Sequence, residues 1–329
     1  MDIIKPKFLI WIFTPKCNLF CSHCYVAKFS LRELSLEEKL KVAKQAVECG
    51  IERINLTGGE VLIDEEVWKV IYYLLENNVS LSIFTNGVAL TEQTIRKFQE
   101  LNIYILLSVD GAKKQTYELI RGKNNWEKLI LNMKRLKESE VSFSTVMAIN
   151  SFNYKEVEDY IWLSQEFGAK NACFIPVMLT GRANKQIVID SKIVFEVLKT
   201  IDKVAEDSKF QISLWCMPFA EAFVSSEFIS ISNCRNWKYE IEIDPLGNVM
   251  LCDILDITIS NVISDGFCEA WRKLRDNPLY KYLSNPTFFI EPCKSCSIRD
   301  RCKGGCYARA GLFGNIYSPD PLCPTVNGF

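Results

Sequence analysis

Short apolar runs alternate with stretches of helical periodicity over the first two-thirds of the chain. Phe8-Leu9-Ile10-Trp11-Ile12-Phe13 is continuously apolar, as a strand buried on both faces is. Further strands are predicted over Arg53 to Thr57, Ser80 to Thr85, Tyr104 to Val109, Val141 to Ile149 and Ala172 to Val177. Ser35-Leu36-Glu37-Glu38 is a capping box opening a helix that runs to Cys49-Gly50. Asp64 opens a helix through about Glu76, and Thr91 caps one to Leu101. Other helices are predicted from Trp126 to Glu138, Tyr154 to Phe167 and about Ser191 to Asp207. This alternation implies an α/β fold with a parallel sheet covered by helices. Polar and glycine motifs recur at the C-terminal ends of the strands, where barrel active sites lie. Six strand–helix units fall short of a closed eight-stranded barrel, so a partial, TIM-like (β/α)6 barrel is expected.

From about Phe210 the pattern changes. Helix signals fade, and cysteine, glycine and proline become common. Tyr239 to Ile243 and Asn248 to Leu251 flank Asp244-Pro245-Leu246-Gly247, which predicts a β-hairpin. The expected division is a barrel over 1–215, a linker over 216–233 and a small cysteine-rich domain over 234–329.

The length of 329 residues allows about two domains at the usual ~100–200 residues each. With 48% hydrophobic residues a sizeable core is within reach. A net charge of -1, from 39 basic and 40 acidic side chains, points to neither nucleic acid nor an anionic membrane surface. No apolar run approaches the ~20 residues that span a bilayer. Lys5, Pro6 and Lys7 interrupt the N-terminus, which does not read as a signal peptide. A cytoplasmic protein is expected. Fourteen cysteines in a reducing compartment are read as metal or cluster ligands before disulfides. Cys49, Cys173 and Cys268 stand apart from the cysteine motifs and are expected to be inert core residues.

Cys17, Cys21 and Cys24 follow the first strand at the spacing Cys-x3-Cys-x2-Cys. A cubane iron–sulfur cluster usually takes four thiolates, so three leave one iron open. The alternative is a zinc or disulfide loop. Zinc wants a fourth protein ligand, for which His23 is the local candidate. The cluster loop directly after a buried strand resembles the radical SAM superfamily. The C-terminal array, Cys234-x12-Gly247-x4-Cys252, then Cys293-x2-Cys296-x5-Cys302-x3-Cys306, then Cys323, resembles the SPASM domain.

The resemblance implies that the amino and carboxylate groups of S-adenosylmethionine (SAM) chelate the open iron. Gly58-Gly59-Glu60 would receive the methionine amino group, with Val61 where the family often has proline. Thr85-Asn86-Gly87 and Ser108-Val109-Asp110-Gly111 resemble segments lining the SAM pocket. Ser108 is the implied donor to the methionine portion, and Asp110 either lines the pocket or holds its turn. Arg121 matches an arginine that pairs with the methionine carboxylate, a task suited to a guanidinium fork. Ile175 is the implied adenine contact, and Gly181-Arg182 resembles a turn near the substrate mouth.

Two auxiliary clusters are implied in the C-terminal part, making three in all. The distal one takes Cys293, Cys296, Cys302 and Cys323; the proximal one takes Cys234, Cys252 and Cys306. No further cysteine follows closely after Cys234, so either the proximal cluster keeps an open iron, which is favoured, or Cys216 swings in. Asp253 matches a general base of sulfatase-maturating enzymes, with a hydrogen-bonding place beside the cluster as the alternative.

The implied activity is reductive cleavage of SAM to a 5′-deoxyadenosyl radical that oxidises or cross-links a peptide or protein substrate. The second reading is a cofactor-biosynthesis enzyme acting on a small molecule such as a haem precursor. A rival of another class is a non-catalytic iron–sulfur electron carrier. Implied partners are a low-potential electron donor, flavodoxin or ferredoxin, and the peptide. The stretch before Cys17 is short, so peptide recognition is expected from a separate protein or from the barrel's own surface.

Overall fold

The computed structural model describes residues 5–236 and 238–328. The barrel strands are β1 (Phe8–Thr14), β2 (Arg53–Gly58), β3 (Ser80–Thr85), β4 (Tyr104–Ser108), β5 (Phe143–Ile149) and β6 (Ala172–Pro176). The helices between them are α1 (Leu36–Cys49), α2 (Val67–Glu76), α3 (Glu92–Glu100), α4 (Lys114–Arg121), α5 (Trp126–Glu138) and α6 (Val157–Glu166). After β6 come α7 (Ser191–Ser208), β7 (Ile212–Leu214) and β8 (Ile229–Ile231). The reciprocal Ser35–Glu38 capping box opens α1 as the sequence predicts, and Gly50 ends it in the left-handed conformation.

Two features depart from the sequence reading. Helix α4 was not anticipated, because Lys113 offers it no side-chain cap. A distant group does the work: the Glu156 carboxylate accepts from the N–H groups of Ala112 and Lys113 and from the Thr116 hydroxyl. The segment 216–233, expected as a linker, is built into the fold. It carries β8, and Met217, Phe219 and Ala220 are buried in the main core.

The C-terminal part contains β9 (Glu240–Ile243), β10 (Asn248–Met250) and β11 (Thr258–Asn261), then α8 (Val262–Asp265), α9 (Phe267–Asp276), α10 (Pro278–Ser284), α11 (Arg299–Cys302) and α12 (Tyr307–Leu312). Helices therefore persist where their sequence signals fade. β9 and β10 form the predicted antiparallel hairpin. The hairpin does not stand alone: β9 pairs in parallel with β1, Phe8 opposite Glu240 and Ile10 opposite Glu242. The result is a continuous sheet ordered β11-β10-β9-β1-β2-β3-β4-β5-β6-β7-β8.

Alternation along the strands sorts the two faces. Leu9, Trp11, Ile54, Leu56, Ile83, Ile105, Phe174 and Ile241 pack with the helices in one large core. The opposite face encloses Leu106, Val146 and Cys173, with Phe84, Tyr104, Ile175 and Trp215 against them. Glu240 and Glu242 alternate with buried Ile241 and Ile243, which puts both carboxylates on that inner face.

Cys49 and Cys268, expected as separate core residues, are joined in a disulfide with a Cα–Cα distance of 5.5 Å. It ties the end of α1 to the start of α9. The pairing spans 219 residues, a separation that the local apolar context of either cysteine does not reveal. Cys173 is buried and free, as expected.

Candidate active site

The loop holding Cys17, Cys21 and Cys24 leaves β1 at the C-terminal end of the sheet. The three thiols lie close enough to act on one another electrostatically. Burial pushes the Cys21 thiol up to about 11, against the pull of the Arg121 guanidinium. Burial thus favours the neutral Cys17 and Cys21 thiols, and a bound cation is what would make them thiolates.

Gly58-Gly59-Glu60 is locked to the chain just ahead of Cys17. The Gly59 N–H donates to the Thr14 carbonyl at 2.7 Å and the Glu60 N–H to the Lys16 carbonyl at 2.8 Å. A Cβ on Gly59 would lie 2.0 Å from the Lys16 carbonyl oxygen, so this close approach requires glycine. Glu60 is fully buried. Its carboxylate accepts from the Asn86 N–H at 2.7 Å, the Thr85 hydroxyl at 2.9 Å and the Leu62 N–H at 3.3 Å. Burial outweighs these bonds and pushes its pKa up to about 7. Asn86 reaches back to the loop, donating to the Asn18 side-chain oxygen at 2.8 Å with Cys17 Sγ 3.9 Å away. Glu60, Thr85, Asn86 and Cys17 therefore form one connected wall.

Asp110 is the hub of the opposite wall. It is fully buried, takes Arg121 Nε at 2.6 Å and the Ala148 N–H at 2.7 Å, and lies 3.2 Å from His23 Nε2. His23, the candidate zinc ligand, is thus engaged with Asp110; burial lowers its pKa to about 4 and keeps the imidazole neutral. Arg121 places Nη1 3.9 Å from Cys21 Sγ, between Asp110 and the loop. Ser108 ends β4 half-buried, two residues before this hub, and Ile175 packs against the inner-face cluster of Leu106, Val146 and Cys173.

Arg182, expected in a turn near the substrate mouth, also holds the cysteine loop. Its Nε donates to the Cys21 carbonyl at 2.7 Å and its N–H to the Cys24 carbonyl at 3.1 Å. Gly181 has φ +62°, and a Cβ there would lie 2.2 Å from the Cys24 carbonyl oxygen. Gly181-Arg182 clasps the cysteine loop itself; the glycine before an arginine was the available signal.

Tyr25, next to Cys24, hydrogen-bonds Asp253, next to Cys252. One contact therefore links the first loop to the hairpin. Asp253 is held up in pKa by burial, and its N–H donates to Glu242 at 2.5 Å. Glu242, Cys252 and Asp253 bring ligand atoms within 4.8 Å of one another. Glu240 beside them is pushed up to about 8, chiefly by burial.

Cys293, Cys296, Cys302 and Cys323 line one cleft. Cys234, Cys252 and Cys306 form a second group, with Cys216 also against Cys306. Cys234 exposes much of its surface, yet the surrounding protein raises its thiol pKa well above the ordinary value. Soft sulfur donors in sets of three and four suit iron–sulfur clusters.

The radical SAM superfamily model matches residues 11–162, and the chain carries a radical SAM domain. Over 97% of its length the chain is 24% identical to an AdoMet-dependent heme synthase of Methanosarcina barkeri, covering 96% of that protein. It is equally 24% identical to the mycofactocin maturase MftC of Mycolicibacterium smegmatis, over 97% of this chain and 82% of the relative. The fold is that of SuiB of Streptococcus suis bound to its precursor peptide SuiA, with a TM-score of 0.79, 17% identity, and coverage of 98% of this chain and 76% of that one.

Proposed function

We propose that the protein is a peptide- or protein-modifying radical SAM enzyme that oxidises or cross-links its substrate. When bound at Cys17, Cys21 and Cys24, an iron–sulfur cluster with SAM supplies a carbon-centred radical that takes hydrogen from an unactivated carbon. The chain's own residues do the rest. Glu60, Thr85 and Asn86 form the polar wall for the methionine end of SAM, with Gly58 and Gly59 letting the backbone close in. Asp110, itself in contact with His23, holds the Arg121 guanidinium beside the loop, where it would face the SAM carboxylate. Ser108 and Ile175 complete the pocket. Phe84, Tyr104, Leu106 and Trp215 give the inner face an apolar wall that excludes water from the reacting carbon.

Asp253 is the general base, taking the substrate proton on a carboxylate oxygen. The Tyr25–Asp253 hydrogen bond supports this reading: it ties a half-buried acid next to Cys252 to the residue after Cys24. Cys293, Cys296, Cys302 and Cys323 would hold the distal auxiliary cluster, and Cys234, Cys252 and Cys306 the proximal one. A low-potential flavodoxin or ferredoxin is the electron donor. A separate recognition protein or the barrel surface presents the peptide.

The haem-precursor reading stands second, favoured by the full-length likeness to the Methanosarcina heme synthase. The inner face supports the first. Glu240 Oε2 and Asn55 Oδ1 are buried oxygens without hydrogen-bond partners, of the kind the N–H donors of a peptide satisfy. The test is anaerobic incubation with dithionite and SAM. Release of 5′-deoxyadenosine is expected, and is abolished by Cys21→Ala. A peptide from the neighbouring gene should lose hydrogen by mass spectrometry. Turnover of an iron porphyrin instead would select the second reading, and no 5′-deoxyadenosine at all would select the electron carrier.

A further inference from the structure

Four thiols converge between the hairpin and α12. Cys216 hydrogen-bonds the Cys306 thiol and lies within electrostatic reach of Cys234 and Cys252. It sits just after β7, upstream of the seven cysteines whose spacing defines the C-terminal array. Its position is enforced. Arg309 Nη2 donates to the Cys216 carbonyl at 2.8 Å, while the Arg309 N–H approaches Cys306 Sγ at 3.5 Å. The same guanidinium grips both oxygens of Asp320, at 2.8 and 2.7 Å, and Asp320 accepts the Cys306 N–H at 2.9 Å. Arg235, beside Cys234, donates to the Gly305 carbonyl at 2.9 Å, which fixes the third backbone to the same frame. Cys216 has φ +56°, a conformation that residues with side chains rarely adopt unless their surroundings impose it.

We propose that Cys216 is the fourth protein ligand of the proximal cluster, alongside Cys234, Cys252 and Cys306. The inference rests on the auxiliary-cluster part of the proposed function and deepens it. With four thiolates, that centre leaves no iron open to the substrate. It exchanges electrons with the substrate at a distance, and anchoring falls to side chains such as Asp253 and Glu242. On binding, the Cys216 S–H is replaced by S–Fe and one proton leaves to solvent.

The test uses the full chain with Cys17, Cys21 and Cys24 replaced by alanine, reconstituted anaerobically with iron and sulfide, so that only the auxiliary centres report. Iron content is measured, then EPR after mild oxidation, with and without cyanide. A cubane held by three thiolates sheds its labile iron to give a three-iron signal, and binds cyanide before that. This parent is expected to show neither. Adding Cys216→Ala should make both appear, and Cys216→Ser should partly suppress them. A parent that already shows both, unchanged by Cys216→Ala, overturns the inference. Alkylation mapping needs no variant at Cys216. In the iron-loaded parent Cys216 should resist iodoacetamide together with Cys234, Cys252 and Cys306, and all four should react once chelator strips the iron. Alkylation of Cys216 in the loaded protein overturns the inference. A parent without auxiliary iron overturns the auxiliary-cluster reading and the inference together. These readouts concern iron and thiols, so they stand apart from whether a peptide is turned over.

Discussion

At the scale of single residues, the site is built from charges that hold one another in place. Arg121 and Asp110 are a buried pair, and removing one leaves the other's charge without compensation. Arg121→Ala is therefore expected to cost about 3–5 kcal/mol in urea unfolding, and to loosen the cysteine loop. Arg121→Lys should not restore it, since a lysine lacks the fork that serves Asp110 and Cys21 together. Glu60 gives a pH signature. Its pKa rises from 4.5 to about 7 on folding, so the native state binds the extra proton between those values. Stability then falls as pH rises through that window, and the penalty is complete above it. Without SAM, the parent should lose up to roughly 3 kcal/mol relative to Glu60→Gln between about pH 5 and about pH 8. Equal pH slopes for the two proteins would refute the assignment. Gly59 and Glu60 were legible as a motif. Their tether to Lys16 was not, because a close backbone approach leaves no trace in sequence beyond the glycine itself.

Elements show where sequence reading succeeds and where it stops. Helix α1 was legible to the residue, because its cap and its left-handed Gly50 are local devices. Helix α4 was not, because its cap is Glu156, forty-odd residues downstream. The hairpin was visible in its turn residues, whereas its pairing with β1 depends on contacts across the whole chain. The Cys49–Cys268 disulfide belongs with these long-range facts. Closing so long a loop stabilises the fold by restricting the unfolded chain. Reduction, or Cys268→Ser, is expected to lower stability by about 2–4 kcal/mol in urea unfolding, with iron content unchanged. A loss of iron alongside would mean that α9 also positions the cysteine groups.

At the scale of the whole molecule, the expected three-part division meets a single sheet. Residues 1–215 alone would leave the β1 edge from Phe8 to Trp11 unpaired, and naked edges of this kind recruit other chains. A fragment ending at residue 215 is expected to aggregate on size-exclusion chromatography, and one extended through β11 to run as a defined species. A monodisperse short fragment would show instead that the barrel closes without β9. Among the described residues no helix is long and apolar enough to cross a membrane.

The β1–β9 ladder also sets a ruler. The strand that leads into Cys17 and the hairpin that leads into Cys252 are stitched side by side by main-chain hydrogen bonds. With clusters bound as proposed, the gap between the two cysteine groups is then set by peptide geometry. Electron transfer across that gap should be insensitive to solvent viscosity, which glycerol titration of its rate would reveal.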